Sequence, residues 1–109
     1  MSNLKSKPIA CSLTNEESRD REAELLTRFK AAGMETEELQ QGFAFRLPGD
    51  ANLIQLVTEL IVAERECCPF LTFEFAALPN MGPIIVRVTG PAGVKEFVRT
   101  VFCKREQST

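Results

Sequence analysis

Residues 50–69 constrain this chain more tightly than any other stretch. In Asp50-Ala-Asn-Leu-Ile-Gln-Leu-Val-Thr-Glu-Leu-Ile-Val-Ala-Glu-Arg-Glu-Cys-Cys68 the apolar residues Leu53, Leu56, Val57, Leu60 and Ile61 recur at helical spacing. The segment reads as an amphipathic helix with Asp50 as N-cap. Pro69 cannot continue it, so it ends at or before Cys68. Extended by three and four residues, the apolar stripe reaches Glu64, then Cys67 and Cys68. At 100° per residue, with Leu53 at zero, Glu64 falls at about 20°, between Cys67 at about 320° and Cys68 at about 60°. A carboxylate centred on a core-facing stripe is costly unless something pairs with it. This helix end is either a functional site or a frayed terminus, and we favour the site.

The other elements follow from shorter signals. Ile9-Ala-Cys-Ser-Leu13 alternates and reads as a strand with Ile9, Cys11 and Leu13 on one face. Thr14-Asn-Glu-Glu17 is a capping box that starts a helix to about Ala32, stopped by Gly33. Its apolar stripe, Leu25, Leu26, Phe29 and Ala32, projects back through Glu22 and Ser18. Met34 to Gln40 and Phe43 to Leu47 flank Gln41-Gly42 as a hairpin, with Phe43, Phe45 and Leu47 inward and Ala44 and Arg46 outward. Phe70 to Phe75 and Ile84 to Thr89 form a second hairpin across Leu78-Pro-Asn-Met-Gly-Pro83. Gly90-Pro91 opens a last helix to about Cys103, with Val94, Phe97, Val98, Val101 and Phe102 on one face. The order β-α-β-β-α-β-β-α predicts an α+β fold: an antiparallel or mixed sheet with helices on one face, its first six elements in ferredoxin-like order. A single domain over 7–104 is expected, with loose termini at 1–6 and 105–109.

Composition narrows the functions. A chain of 109 residues with net charge -2 offers no electrostatic footprint for nucleic acid or an anionic membrane. The N-terminus lacks a signal-peptide stretch and no apolar run spans a bilayer, so a cytoplasmic protein with reduced thiols is expected. Cys11, Cys67, Cys68 and Cys103 then read as buried hydrophobes, metal ligands or reactive thiols rather than structural disulfides. There is no histidine, which excludes Cys/His catalytic pairs and histidine-containing zinc sites.

Cys11, Cys67 and Cys68 each face the core by their own periodicity, whereas Cys103 falls opposite the stripe of its helix, near 180°. The candidate site is therefore Cys11, Cys67 and Cys68 with Glu64 beside them. Reactive cysteines sit at helix N-termini or beside cations. Cys67 and Cys68 sit instead at a helix C-terminus, where the dipole is negative, and Glu64 adds to that field although Arg65 is adjacent. Such a place raises thiol pKa values and suits a cation that displaces the protons. Thiolates with a carboxylate and no imidazole favour a soft ion such as Hg(II), As(III), Cu(I) or Zn(II), although adjacent cysteines are not a standard zinc spacing. The plainer readings are cysteines as core filler and Glu64 in a structural ion pair with Arg19 or Arg21. Phe70, Phe73 and Phe75 read as core.

Cys11-Ser-Leu-Thr14 together with Glu64-Arg-Glu-Cys-Cys-Pro-Phe70 and Gly90-Pro-Ala-Gly93 resembles a group of small uncharacterised bacterial proteins. The same segments are similar to a C-terminal appendage of some MerR-type heavy-metal-responsive regulators. The resemblance covers roughly residues 9 to 103 and implies a heavy-metal context for Cys11, Glu64, Cys67 and Cys68. It does not carry regulator function, since the chain has no recognition helix or basic region of its own.

Three functions compete. The first is a small domain capturing a soft metal, metalloid or other small thiophilic ligand. The second is a thiol-dependent enzyme, redox or organometal-cleaving, in which Cys67 or Cys68 attacks and Glu64 moves the proton. The third is a self-associating module, a homodimer in which the cysteines are structural.

Overall fold

A computed structural model describes residues 16–103. Three helices and four strands follow in the order α1 (Glu16–Lys30), β1 (Glu35–Leu39), β2 (Gly42–Leu47), α2 (Ala51–Cys67), β3 (Thr72–Ala77), β4 (Ile84–Thr89) and α3 (Lys95–Phe102). This is the α+β class read from the sequence. The strand expected at 9–13, the capping box at Thr14 and the expected loose ends at 1–6 and 105–109 lie outside the described residues, as does Cys11.

All three strand pairings are antiparallel, and the sheet order is β1-β2-β4-β3. For the ferredoxin-like order, the first strand lies outside the described residues, and the place between β2 and β3 belongs to β4. Alternation then sorts the side chains. Phe43, Phe45 and Leu47 of β2 and Ile84, Val86 and Val88 of β4 are buried against the helices. Leu25 and Phe29 of α1, Leu56, Val57 and Leu60 of α2, and Val98 and Phe102 of α3 complete the core. Phe29 stands edge-on to Phe45 at 5.3 Å and to Phe102 at 6.4 Å, a geometry that suits the ring quadrupoles.

Three expectations change. The first hairpin turns at Gln40-Gln41, because Leu39 pairs with Gly42, so Gly42 is a strand residue. A Cβ there would come within 2.0 Å of the Val88 carbonyl oxygen, and glycine is needed for that close approach rather than for a turn. Ala44 points outward as read but is only 6% exposed, because a small side chain between Glu37 and Arg87 on the flanking strands keeps little free surface. Phe75 is 38% exposed, not core, since β3 is an edge strand; Phe70 and Phe73 are partly buried against the core.

The helix that matters most is held at both ends. Asp50 accepts a hydrogen bond from the Asn52 N–H at 2.7 Å, the N-cap read from the sequence. At the other end the Cys68 N–H donates to the Glu64 carbonyl at 2.6 Å, extending the helical bonding to the residue before Pro69.

A buried carboxyl-sulfur cluster

Helix periodicity carries Glu64 and Cys67 onto the buried face of α2, and the C-cap turn folds Cys68 back beside them. Glu64 is 0% exposed, and both cysteines are buried. One donor atom each from Glu64, Cys67 and Cys68 lies within 4.8 Å of the others, close enough to share one cation. The Cys68 Sγ–H donates to Glu64 Oε1 at 3.5 Å, and its sulfur lies 3.3 Å from Cys67 Sγ.

The second carboxyl oxygen, Glu64 Oε2, has no hydrogen-bond partner of ordinary geometry among the described residues. The group that acts on it from α1 is another carboxyl, Glu22, half-buried where the α1 stripe projects. Loss of hydration pushes the Glu64 carboxyl up to about 9, and Glu22 adds to the shift while the Cys68 thiol opposes it. A proton is therefore held on Glu64 at neutral pH. Burial also raises the Cys68 pKa, and the neighbouring Glu64 and Glu22 raise it further. These directions agree with the expectation drawn from the negative helix end.

Neither arginine weighed as a partner reaches the site. Arg21 pairs with Glu59 at 3.2 Å on the exposed faces of α1 and α2. Arg19 and Arg65 are exposed, and the charged neighbours that shift Glu64 and Cys68 are carboxyls rather than cations. The wheel places Arg21 beside the stripe, but one turn of α2 separates Glu59 from the site, and the longer reach of arginine selects the solvated partner.

The cysteines differ in state. Cys68 and Cys103 are free thiols, and Cys67 is disulfide-bonded. That departs from the expectation of reduced thiols throughout. Cys103 caps α3, half-buried at the rim of the core and outside the cluster, as its helical phase predicts. Sequence reasoning projected Glu22 onto the buried stripe but did not assign it to the site; its phase relative to Leu25 and Phe29 was the available signal.

No family model, no curated protein and no solved structure matches the chain.

Proposed function

We propose that the domain captures a soft metal or metalloid ion through the Cys67 and Cys68 sulfurs in their reduced state. Glu64 serves as a hard donor or as acceptor of a displaced proton, and Cys11 as a third sulfur. The observation that carries this reading is a fully buried carboxyl clustered with two sulfurs, beside a second carboxyl and with no cation among the described residues compensating it. Such a group is costly as plain packing, and a bound cation removes the cost by replacing protons with one positive centre. Thiolate donors select soft ions, here Hg(II), As(III), Cu(I) or Zn(II). The sulfurs sit near coordinating distance: a tetrahedral ion with bonds of about 2.3 Å holds two sulfurs roughly 3.8 Å apart, so the 3.3 Å pair must open by only about 0.5 Å.

Thiol catalysis is less well served. Cys68 sits where burial and two carboxyls suppress the thiolate, the opposite of an activated nucleophile. The heavy-metal context implied by the resemblance to MerR-type appendages points the same way.

The test is calorimetric titration of the reduced protein with Hg(II) in two buffers of different ionisation enthalpy. One ion should bind per chain with release of two to three protons, as expected for thiol and carboxyl donors. Cys67→Ser/Cys68→Ser should abolish that event and Cys103→Ser should leave it intact. A double variant that titrates like the wild type refutes capture at this cluster.

A further inference from the structure

The two edges of the sheet are built differently. β1 closes one side with Glu35-Thr-Glu-Glu-Leu39, whose carboxylates keep a neighbouring strand away. β3 closes the other with Thr72-Phe-Glu-Phe-Ala-Ala77, which has no lysine, proline or bulge. Its one charge, Glu74, sits opposite Arg87 on β4 and is compensated within the chain. Phe75 is nevertheless 38% exposed, and among the described residues no strand pairs with the outer edge of β3. Just beyond the strand, Leu78 is 41% exposed, and at the hairpin tip Met81 is 88% exposed and held at φ 56°, a left-handed position that favours glycine. A strained, solvated methionine beside an unguarded apolar edge marks a contact surface.

The backbone shows which groups that edge offers. The Leu78 N–H donates to the Pro83 carbonyl at 3.0 Å across the hairpin. The Gly90 N–H donates to the Gln41 carbonyl at 3.1 Å, so alternation along β4 turns Ile85, Arg87 and Thr89 towards β3. Both bonds give the same phase: Thr72, Glu74 and Ala76 bond to β4. Phe73, Phe75 and Ala77 therefore turn their N–H and C=O groups outwards.

We propose that β3 pairs with β3 of a second copy of this chain, antiparallel about a twofold axis at Phe75, so that the two sheets become one. In that register Phe75 exchanges both backbone bonds with the partner's Phe75, and Phe73 does so with the partner's Ala77. The two Phe75 rings form a cross-strand aromatic pair, Glu74 meets the partner's Ala76, and Leu78 meets the partner's Thr72. The hairpin tip then lies level with the partner's Phe70, which gives Leu78 and Met81 an apolar neighbour. An axis at Glu74 would also keep the strands overlapped, but it sets carboxylate against carboxylate. A second copy is the occupant because the strand complements itself, aromatic to aromatic and carboxylate to alanine. The pairing does not depend on metal capture, and either can fail without the other.

Sedimentation velocity of the full-length chain should show a reversible monomer–dimer equilibrium in the micromolar range, with no disulfide-linked species on a non-reducing gel. Ala77→Pro removes an N–H that faces outwards and spares the β3–β4 ladder, and Phe75→Lys sets like charges across the axis. Each should weaken association at least about 10-fold while circular dichroism stays that of the wild type. Phe75→Glu should also be monomeric, and mixing F75K with F75E should restore a dimer, since residue 75 faces itself only about this axis. The charge pair decides the matter if A77P does not fold. In hydrogen exchange followed by NMR, protection of the Phe73, Phe75 and Ala77 amides should rise with protein concentration. A chain that stays monomeric at all concentrations overturns the proposal, as does a dimer that survives both A77P and F75K or a mixture that does not reassociate. Protection of those amides in the dilute monomer overturns it too, since another part of the same chain then covers the edge.

Discussion

Glu64 is the residue at which packing and chemistry conflict. Its carboxyl is fully buried beside a second carboxyl, and in the metal-free protein it holds its proton up to about pH 9. The unfolded chain releases that proton near the model value of 4.5. The folded pKa is raised, so the contribution to stability is complete below about 4.5 and is lost as pH rises towards 9. Across pH 5 to 8 the loss is at most about 4 kcal/mol, from roughly 1.4 kcal/mol per unit. Glu64→Gln keeps the shape and removes the ionisation. Metal-free E64Q should therefore melt at the same temperature as wild type near pH 4.5 and at least about 5 °C higher at pH 8, by the usual relation between free energy and melting temperature. Parallel pH profiles in thermal denaturation would show that the carboxyl is not desolvated as the fold requires.

At the scale of elements, the two glycines Gly33 and Gly42 separate turn chemistry from strand packing. Gly33 follows α1 at φ +73°, with open space around a would-be Cβ. Gly33→Ala should cost about 1 kcal/mol of backbone strain. Gly42 lies inside β2, where a Cβ meets the backbone of Val88 and Thr89, neither of which can swing aside. Gly42→Ala should cost more than about 2 kcal/mol, read from urea unfolding, and the two variants should rank in that order. The sequence alone reverses this emphasis, since Gln41-Gly42 looks like a hairpin turn. That error shows where legibility ends. Helical periodicity is local, so α2, its N-cap and the inward aim of Glu64 and Cys67 were readable from spacing. The seat of β4 between β2 and β3, the exposure of Phe75 on an edge strand and the Arg21–Glu59 pair depend on contacts between distant segments. Local patterns carry no record of those, nor of the bonded state of Cys67.

For the molecule as a whole, the burial that makes the cluster chemically unusual also governs access to it. Glu64, Cys67 and Cys68 are buried, and a groove of about 210 Å³ between α1 and α2 is lined by Ser18, Arg21, Glu59, Val62, Ala63 and Glu66. None of the three cluster residues lines that groove. An incoming ion must therefore wait for a local opening, most simply fraying of the last turn of α2, where Pro69 provides no amide donor to hold it. Opening followed by capture gives a saturable rate. At low metal the observed rate rises with concentration; at high metal it equals the opening rate and rises no further. Stopped-flow mixing of the reduced protein with excess Zn(II), followed through a metal-sensitive dye, should show that plateau. Asp50→Ala removes the N-cap at the far end of α2, about one kcal/mol of helix stability, and should raise the plateau several-fold if the whole helix loosens. An unchanged plateau in D50A would confine the opening to the last turn. A rate that climbs linearly to diffusion-limited values would mean that the sulfurs are open to solvent, contrary to their burial in this fold.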